Sequence, residues 1–206
     1  MTKTKKIILL IDIVAITILT IAVLLNNTAI LDEWIFKSLH SMTNGKYINF
    51  FKTFTELGST KGILITALLI LIILFKKGGI NNTINIVAIA LINQSSKFII
   101  KRQRPTWKII EQTGYSYPSG HSMATFCLYG YLIFLAHKHI KEKWLRITIY
   151  IICSLIIFLI GLSRIYLGVH YASDVIGGYL ITFAFLLVIT SLETQKDIKN
   201  EPKLSN

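Results

Sequence analysis

The run IILLIDIVAITILTIAVLL, Ile7–Leu25, decides the fold: apart from Asp12, Thr17 and Thr20, every residue in it is apolar. A bilayer core of about 30 Å takes roughly 20 apolar residues of helix to cross, and this run comes close to that length. Five more blocks approach it: Leu57–Phe75, Ile80–Ile100, His121–Ala136, Leu145–Leu162 and Val169–Leu192. The composition agrees. Only 16% of the 206 residues are charged and 53% are hydrophobic, against about a quarter charged in a soluble domain; the mean hydropathy is +0.60. Lys3, Lys5 and Lys6 before the first block resemble the start of a signal peptide. The run is long, however, no small-x-small cleavage site closes it, and further spans follow, so it reads as an uncleaved first helix. Asp12 reads as a polar residue near the cytoplasmic interface with no assigned role, and Cys127 and Cys153, inside apolar blocks without metal-type spacing, as small packing residues. The prediction is an all-α, integral-membrane six-helix bundle. Residues 1–192 form a single membrane-embedded domain, and 193–206 a polar, disordered cytoplasmic tail.

Basic residues in short loops favour the cytoplasm. Lys3, Lys5 and Lys6, then Lys76 and Lys77, then Lys138, Lys141, Lys143 and Arg146, and finally Lys196, Lys199 and Lys203 all fall on one side of a six-span chain. Both termini are therefore expected in the cytoplasm. Segment 101–120, on the opposite face, breaks the trend with Lys101, Arg102, Arg104 and Lys108, and anion binding is the reading that explains it. The rest of the +12 net charge is the orientation signal plus attraction to anionic headgroups. Nucleic acid is a poor partner for charges dispersed among spans. Between the first two spans, Ile30, Leu31, Trp34, Ile35, Leu39 and Met42 recur at helical spacing opposite Asp32, Glu33 and Lys37, and Tyr47, Phe50, Phe51, Phe54 and Leu57 follow. That pattern predicts interfacial amphipathic helices, packed as a lid on the outer ends of the bundle.

Three stretches carry chemistry, all at the predicted outer face. In the first, Lys97 and Arg104 lie seven residues apart and so share a helical face, and Pro105 biases that helix to stop, leaving Arg104 at its mouth. In the second, Tyr117-Pro118-Ser119-Gly120-His121, Ser119 is a candidate N-cap; the backbone N–H groups of a helix start form an anion site, and His121 there could exchange a proton. In the third, Ser163-Arg164 is followed by Gly168, His170 and Asp174. His170 and Asp174 are four apart, so the carboxylate can fix the imidazole tautomer and leave the other nitrogen as nucleophile. Arg164 brings a forked donor suited to phosphate oxygens. Each stretch alone has a plainer explanation: snorkelling cations, an ordinary cap, or a buried polar pair. For an ionisable residue at this depth in a membrane protein, function is the better default.

Together the stretches resemble the type-2 phosphatidic acid phosphatase family, relatives of the vanadium haloperoxidases. That family's pattern is Lys-x6-Arg-Pro, Pro-Ser-Gly-His and Ser-Arg-x5-His-x3-Asp, and every fixed position is met by Lys97, Arg104 and Pro105, by Pro118 to His121, and by Ser163, Arg164, His170 and Asp174. The resemblance implies a membrane lipid phosphatase working through a phosphohistidine. His170 would attack phosphorus, Asp174 would orient His170, and His121 would protonate the leaving oxygen and then activate water. Lys97, Arg104, Arg164, Ser119 and the Gly120 N–H would hold the phosphoryl oxygens. Asp174 is the only acid within the three stretches, so no metal site is expected, nor any cofactor or obligate protein partner.

The compact chain resembles bacterial members, implying a plasma-membrane enzyme with an extracytoplasmic site. Undecaprenyl diphosphate is the expected substrate, with phosphatidylglycerophosphate and phosphatidic acid as alternatives. Lys101 is not a motif position, but on an unbroken helix Asn93, Lys97, Lys101 and Arg104 would form one stripe, making Lys101 a candidate contact to a second phosphate. Two other classes compete. A haloperoxidase is disfavoured by the hydrophobic chain, and a non-catalytic lipid-binding or transport protein would not need His170, Asp174 and His121 together.

Overall fold

The computed structural model of the chain describes residues 1–200; residues 201–206, the end of the expected tail, lie outside them. Among the described residues there are eight α-helices and no strand. They are α1 (Lys3–Leu24), α2 (Ala29–Thr43), α3 (Ile48–Phe54), α4 (Thr60–Ile73), α5 (Gly79–Ile100), α6 (Gly120–His139), α7 (Lys143–Tyr166) and α8 (Ala172–Asn200), with 3₁₀ turns at Thr55–Gly58 and Phe75–Lys77.

Four of these helices, α1, α5, α7 and α8, are each long and apolar enough to cross a membrane. A fifth crossing is available if Ile48–Gly58 and Thr60–Ile73, bent by 50°, act as one. Ser59 makes the break, with extended backbone and a side chain that caps α4 by accepting from Gly62 N. Six spans were expected, and the block that falls short is α6. It packs against α4, α5, α7 and α8, and Ser122, Thr125, Tyr129 and Tyr131 are among its buried side chains. A helix enclosed by other helices meets protein instead of lipid, so polar side chains are tolerated along it. The outer helices invert that pattern: Leu64, Leu68 and Ile72 of α4, and Ile151, Leu155 and Phe158 of α7, are exposed. The core around α6 includes Ile89, Met123, Leu128, Leu135 and both cysteines.

Four expectations are corrected by this architecture. First, α2 forms where an amphipathic helix was predicted, but Asp32 is buried at 2% exposure while Ile30, Leu31, Trp34 and Met42 point outward. The acid faces the protein because it has partners there. Second, α5 stops at Ile100, with Lys101 as a left-handed C-cap at φ +52°. The helix therefore ends before Arg104, and the stripe of Asn93, Lys97, Lys101 and Arg104 does not form. Third, the last block starts at Ala172, leaving His170 in the turn before α8. Fourth, the expected disordered tail is helical from Glu193 to Asn200.

The C-terminal ends of α5 and α7 meet the N-terminal ends of α6 and α8 at one end of the bundle. At the other, Tyr131 donates to Glu193 (2.6 Å) and Lys138 pairs with Asp197 (2.6 Å). The irregular segment 101–119 closes the first end. It is tied down by Ile109 N donating to Leu167 O (2.9 Å) and Ser116 N donating to Arg102 O (2.8 Å).

Candidate active site

His170 lies at the centre of that end, 3% exposed. Its Nδ1 is 3.2 Å from Asp174 Oδ2 and its Nε2 is 3.2 Å from Arg104 Nη1. A guanidinium can only donate, so Nε2 is the acceptor and the proton sits on Nδ1, facing the carboxylate. Asp174, fully buried, takes four further bonds. Its Oδ2 accepts from Ser116 Oγ and from Tyr171 N (2.9 Å), and its Oδ1 from Arg102 Nη1 (2.6 Å), while its backbone O accepts from Ser119 N (3.1 Å). Burial pushes His170 down to about 3 against the pull of Asp174, with Arg164 and Arg104 adding to the depression. The imidazole is neutral at ordinary pH, the form in which a histidine can act as a nucleophile.

Arg104 reaches His170 from the loop. Its Nη1 also donates to Val169 O (2.7 Å), and its Nε and Nη2 hold the carbonyls of Thr113 and Gly114. Arg164, from the last turn of α7, is 1% exposed. Its Nη1 donates to Thr55 Oγ1 (2.8 Å) and its Nη2 to Gln112 Oε1 (3.3 Å), while its buried Nε has no partner. Three cations, Arg164, Lys97 and Arg104, and the His170 ring are close enough to act on His121.

The turn before α6 is built as the sequence predicts. Ser119 is the N-cap, and its side chain accepts from Ser122 N (3.4 Å) and Ser122 Oγ (2.9 Å). Asn93 Nδ2 anchors the turn to α5 by donating to Pro118 O (3.0 Å). A Cβ on Gly120 would come to 3.0 Å from Asn93 Oδ1, so only glycine sits there without strain on that contact. Ser119 itself is fully buried, and its hydroxyl oxygen accepts both cap bonds.

A cleft of about 570 Å³ opens beside these residues between α4, α5 and α6. Lys97, Gln112, Gly120 and His121 form its polar end, and Ile63, Leu64, Val87 and Leu91 its apolar walls. Leu64, Val87 and Leu91 are also on the outer surface of the bundle, so the cleft connects the polar end to the lipid-facing side. Lys101 is exposed and is not among the lining residues.

The structure thus gathers Lys97, Arg104, His121, Arg164, His170 and Asp174, places Ser119 and Gly120 in the supporting turn, and leaves Lys101 outside. Sequence reasoning missed Ser116, Thr55 and Gln112, which lie in no motif. It also missed the Arg102–Asp32 pair, whose one sequence signal is an acid at Asp32 amid the apolar residues of α2. Among the described residues, no group of three or more His, Cys, Asp or Glu is gathered for metal ligation.

Comparison with known proteins agrees with this geometry. A family model described as the PAP2 superfamily matches residues 80–197, a stretch that contains all three motifs. Phosphatidylglycerophosphatase B of Bacillus subtilis is 34% identical over 108 residues, 50% of this chain and 52% of that protein. Undecaprenyl-diphosphatase of Sulfolobus acidocaldarius is 30% identical over 142 residues, 66% of this chain and 65% of that one. The chain thus spans about half the length of the first relative and just under two thirds of the second. The crystal structure of a transmembrane PAP2-type phosphatidylglycerolphosphate phosphatase from Bacillus subtilis superposes with a TM-score of 0.80 at 25% identity, covering 96% of this chain and 98% of that one. Motifs, helical membrane architecture and family match converge: this multi-pass chain belongs to the PAP2 superfamily.

Proposed function

We propose that the protein is a metal-independent membrane phosphatase that hydrolyses lipid phosphate or diphosphate esters through a phosphohistidine on His170. The observation that carries the reading is the pair of contacts on that imidazole. Asp174 holds the protonated Nδ1, and Arg104, a phosphate-binding side chain by chemistry, sits at the unprotonated Nε2. A phosphoryl group taking up the Arg104 guanidinium would be brought to the nucleophilic nitrogen.

In the first step the Nε2 lone pair forms the N–P bond as the P–O bond to the lipid breaks. The leaving oxygen takes a proton from His121, which carries it as the imidazolium once the negative charge of the bound phosphate offsets the surrounding cations, and the positive charge on His170 is offset by Asp174. In the second, neutral His121 takes a proton from water, the oxygen attacks phosphorus, and the N–P bond breaks to return His170. Arg104, Arg164 and Lys97 supply positive charge around the phosphoryl oxygens, and Ser119 and Gly120 shape the helix start that joins them. These cations do the electrostatic work that a metal does elsewhere.

The apolar cleft beside Lys97 and His121 supports a lipid over a soluble ester, since a chain lying along Leu64 and Leu91 delivers its headgroup to the polar end. The distribution of Lys and Arg supports cytoplasmic termini and an extracytoplasmic site in the plasma membrane. That orientation favours undecaprenyl diphosphate. Phosphatidylglycerophosphate is the alternative, supported by the similarity to phosphatidylglycerophosphatase B and by the superposed phosphatidylglycerolphosphate phosphatase.

The test is phosphate release by purified protein in detergent with EDTA, on undecaprenyl diphosphate, phosphatidylglycerophosphate and phosphatidic acid. Chelator-resistant turnover is expected, lowered by at least about 10³-fold in His170→Ala, and the ranking of rates names the lipid. Turnover that survives His170→Ala, or vanishes with EDTA, would sink the mechanism. Headgroup binding with no turnover on any lipid would replace it with a lipid-binding protein.

A further inference from the structure

Arg102 and Asp32 belong to none of the three motifs, yet both are tied to the carboxylate of Asp174. The two terminal nitrogens of Arg102 go to different acids. Nη1 donates to Asp174 Oδ1 (2.6 Å) and Ser173 Oγ (2.7 Å), and Nη2 to Asp32 Oδ2 (2.9 Å) and Thr28 Oγ1 (3.0 Å). The guanidinium lies over the Tyr171 ring, 3.8 Å from its centroid. Asp32 is fixed from its other side: Oδ1 accepts from Ser173 N (2.9 Å) and Oδ2 from Ser173 Oγ (2.6 Å). The three side chains are 10%, 2% and 0% exposed for Arg102, Asp32 and Asp174, so no bulk water screens them.

Resting on the phosphatase reading, we propose that Arg102 and Asp32 are positioning residues that form a charge-balancing bridge: Arg102 orients Asp174, and Asp32 offsets the Arg102 charge so that Asp174 keeps its negative charge for His170. Two carboxylates and one guanidinium carry one net negative charge, which matches the single positive charge that His170 gains when phosphorylated. With Arg102 and Asp174 alone the pair would be neutral, and the carboxylate would have little left to offer the imidazole. With Asp32 and Asp174 alone, two buried acids would repel. An acid at position 32 is costly for packing, because α2 turns Leu31 and Trp34 outward and buries Asp32 alone. The bridge accounts for its presence.

The test uses full-length protein in detergent, comparing wild type, Arg102→Gln, Asp32→Asn and the double variant for kcat, KM and melting. Each single variant is expected to lose on the order of 10–100-fold in kcat, the scale on which removing a group that orients an active residue acts, with KM little changed. The double variant restores one net negative charge and is expected to recover most of the kcat lost by Arg102→Gln. A purely structural bridge gives the opposite, since removing both partners loses at least as many bonds as removing one. Should Arg102→Gln fail to fold, Asp32→Asn, which keeps the Arg102–Asp174 pair, carries the test by its own kcat loss. Single variants with wild-type kcat, a double variant no faster than Arg102→Gln, or kcat losses matched throughout by collapse of the melting transition would each overturn the proposal alone. A wild type inactive on every lipid would instead overturn the phosphatase reading, and the bridge with it.

Discussion

On the proposed mechanism His170 couples catalysis to stability, because the same burial that keeps it neutral makes its protonation costly to the fold. In the unfolded chain a histidine titrates near 6.5; in the folded protein burial holds it down to about 3. Between those values the unfolded state binds the proton and the native state does not, so stability rises with pH across the window and falls as pH drops below about 6.5. The slope from this one residue approaches about 1.4 kcal/mol per pH unit in the middle of the window. Melting in detergent at pH 7, 6 and 5 is expected to show wild type losing stability faster than His170→Gln, which leaves Asp174 in place and removes only the titrating ring. Parallel losses in the two proteins would mean that His170 is not held neutral. Catalysis should not mirror this window: kcat/KM should show no acid limb from His170 above about pH 4, since the ring stays unprotonated there.

At the scale of elements, close approach between helices holds the motif turns in place. Gly177 of α8 lies against the Tyr117 ring, and a Cβ there would come within 2.5 Å of it. Tyr117 is fully buried, and its hydroxyl is 3.0 Å from Thr20 Oγ1 of α1, so a retreat of the ring would strain that hydrogen bond. Gly177→Ala is therefore expected to cost about 1–3 kcal/mol by overpacking and to lower activity as the stretch carrying Ser116 and Ser119 shifts. Melting and phosphate release from one preparation check both, and an alanine variant with wild-type melting would mean that Tyr117 has room after all. The same scale explains what could be read from the chain and what could not. His170, Asp174, Ser119 and His121 were legible because their chemistry needs those types at short, local spacings: an i,i+4 pair and an N-cap. For Arg104 the helical argument failed, since α5 ends at Ile100 and the loop, not a shared helical face, delivers the guanidinium; the Lys-x6-Arg-Pro pattern marked it regardless of the helix. Lys101 was misplaced by the same helix end. Asp32 and Arg102 were invisible as a pair because their contact joins α2 to the loop after α5, and no local periodicity records such a meeting.

Across the whole molecule the orientation proposed from the basic residues decides which leaflet the proposed chemistry would serve. The site end carries the loop 101–119, and the opposite end carries the Lys138–Asp197 pair and the start of α5. If basic residues hold the second end in the cytoplasm, a lipid headgroup is cleaved outside the cell, and only lipids present in the outer leaflet are substrates. Surface positions at the two ends are available for labelling. Glu111, with its side chain 88% exposed, lies on the site loop, and Asp197, 50% exposed, on the last turns of α8. The native Cys127 and Cys153 are buried and give a low background. In intact cells a membrane-impermeant maleimide is expected to label Glu111→Cys at once and Asp197→Cys only after permeabilisation. The reverse pattern would put the site in the cytoplasm. It would remove the topological argument for a polyprenyl diphosphate released at the outer face, and leave a cytoplasmic-leaflet lipid such as phosphatidylglycerophosphate as the substrate the geometry serves.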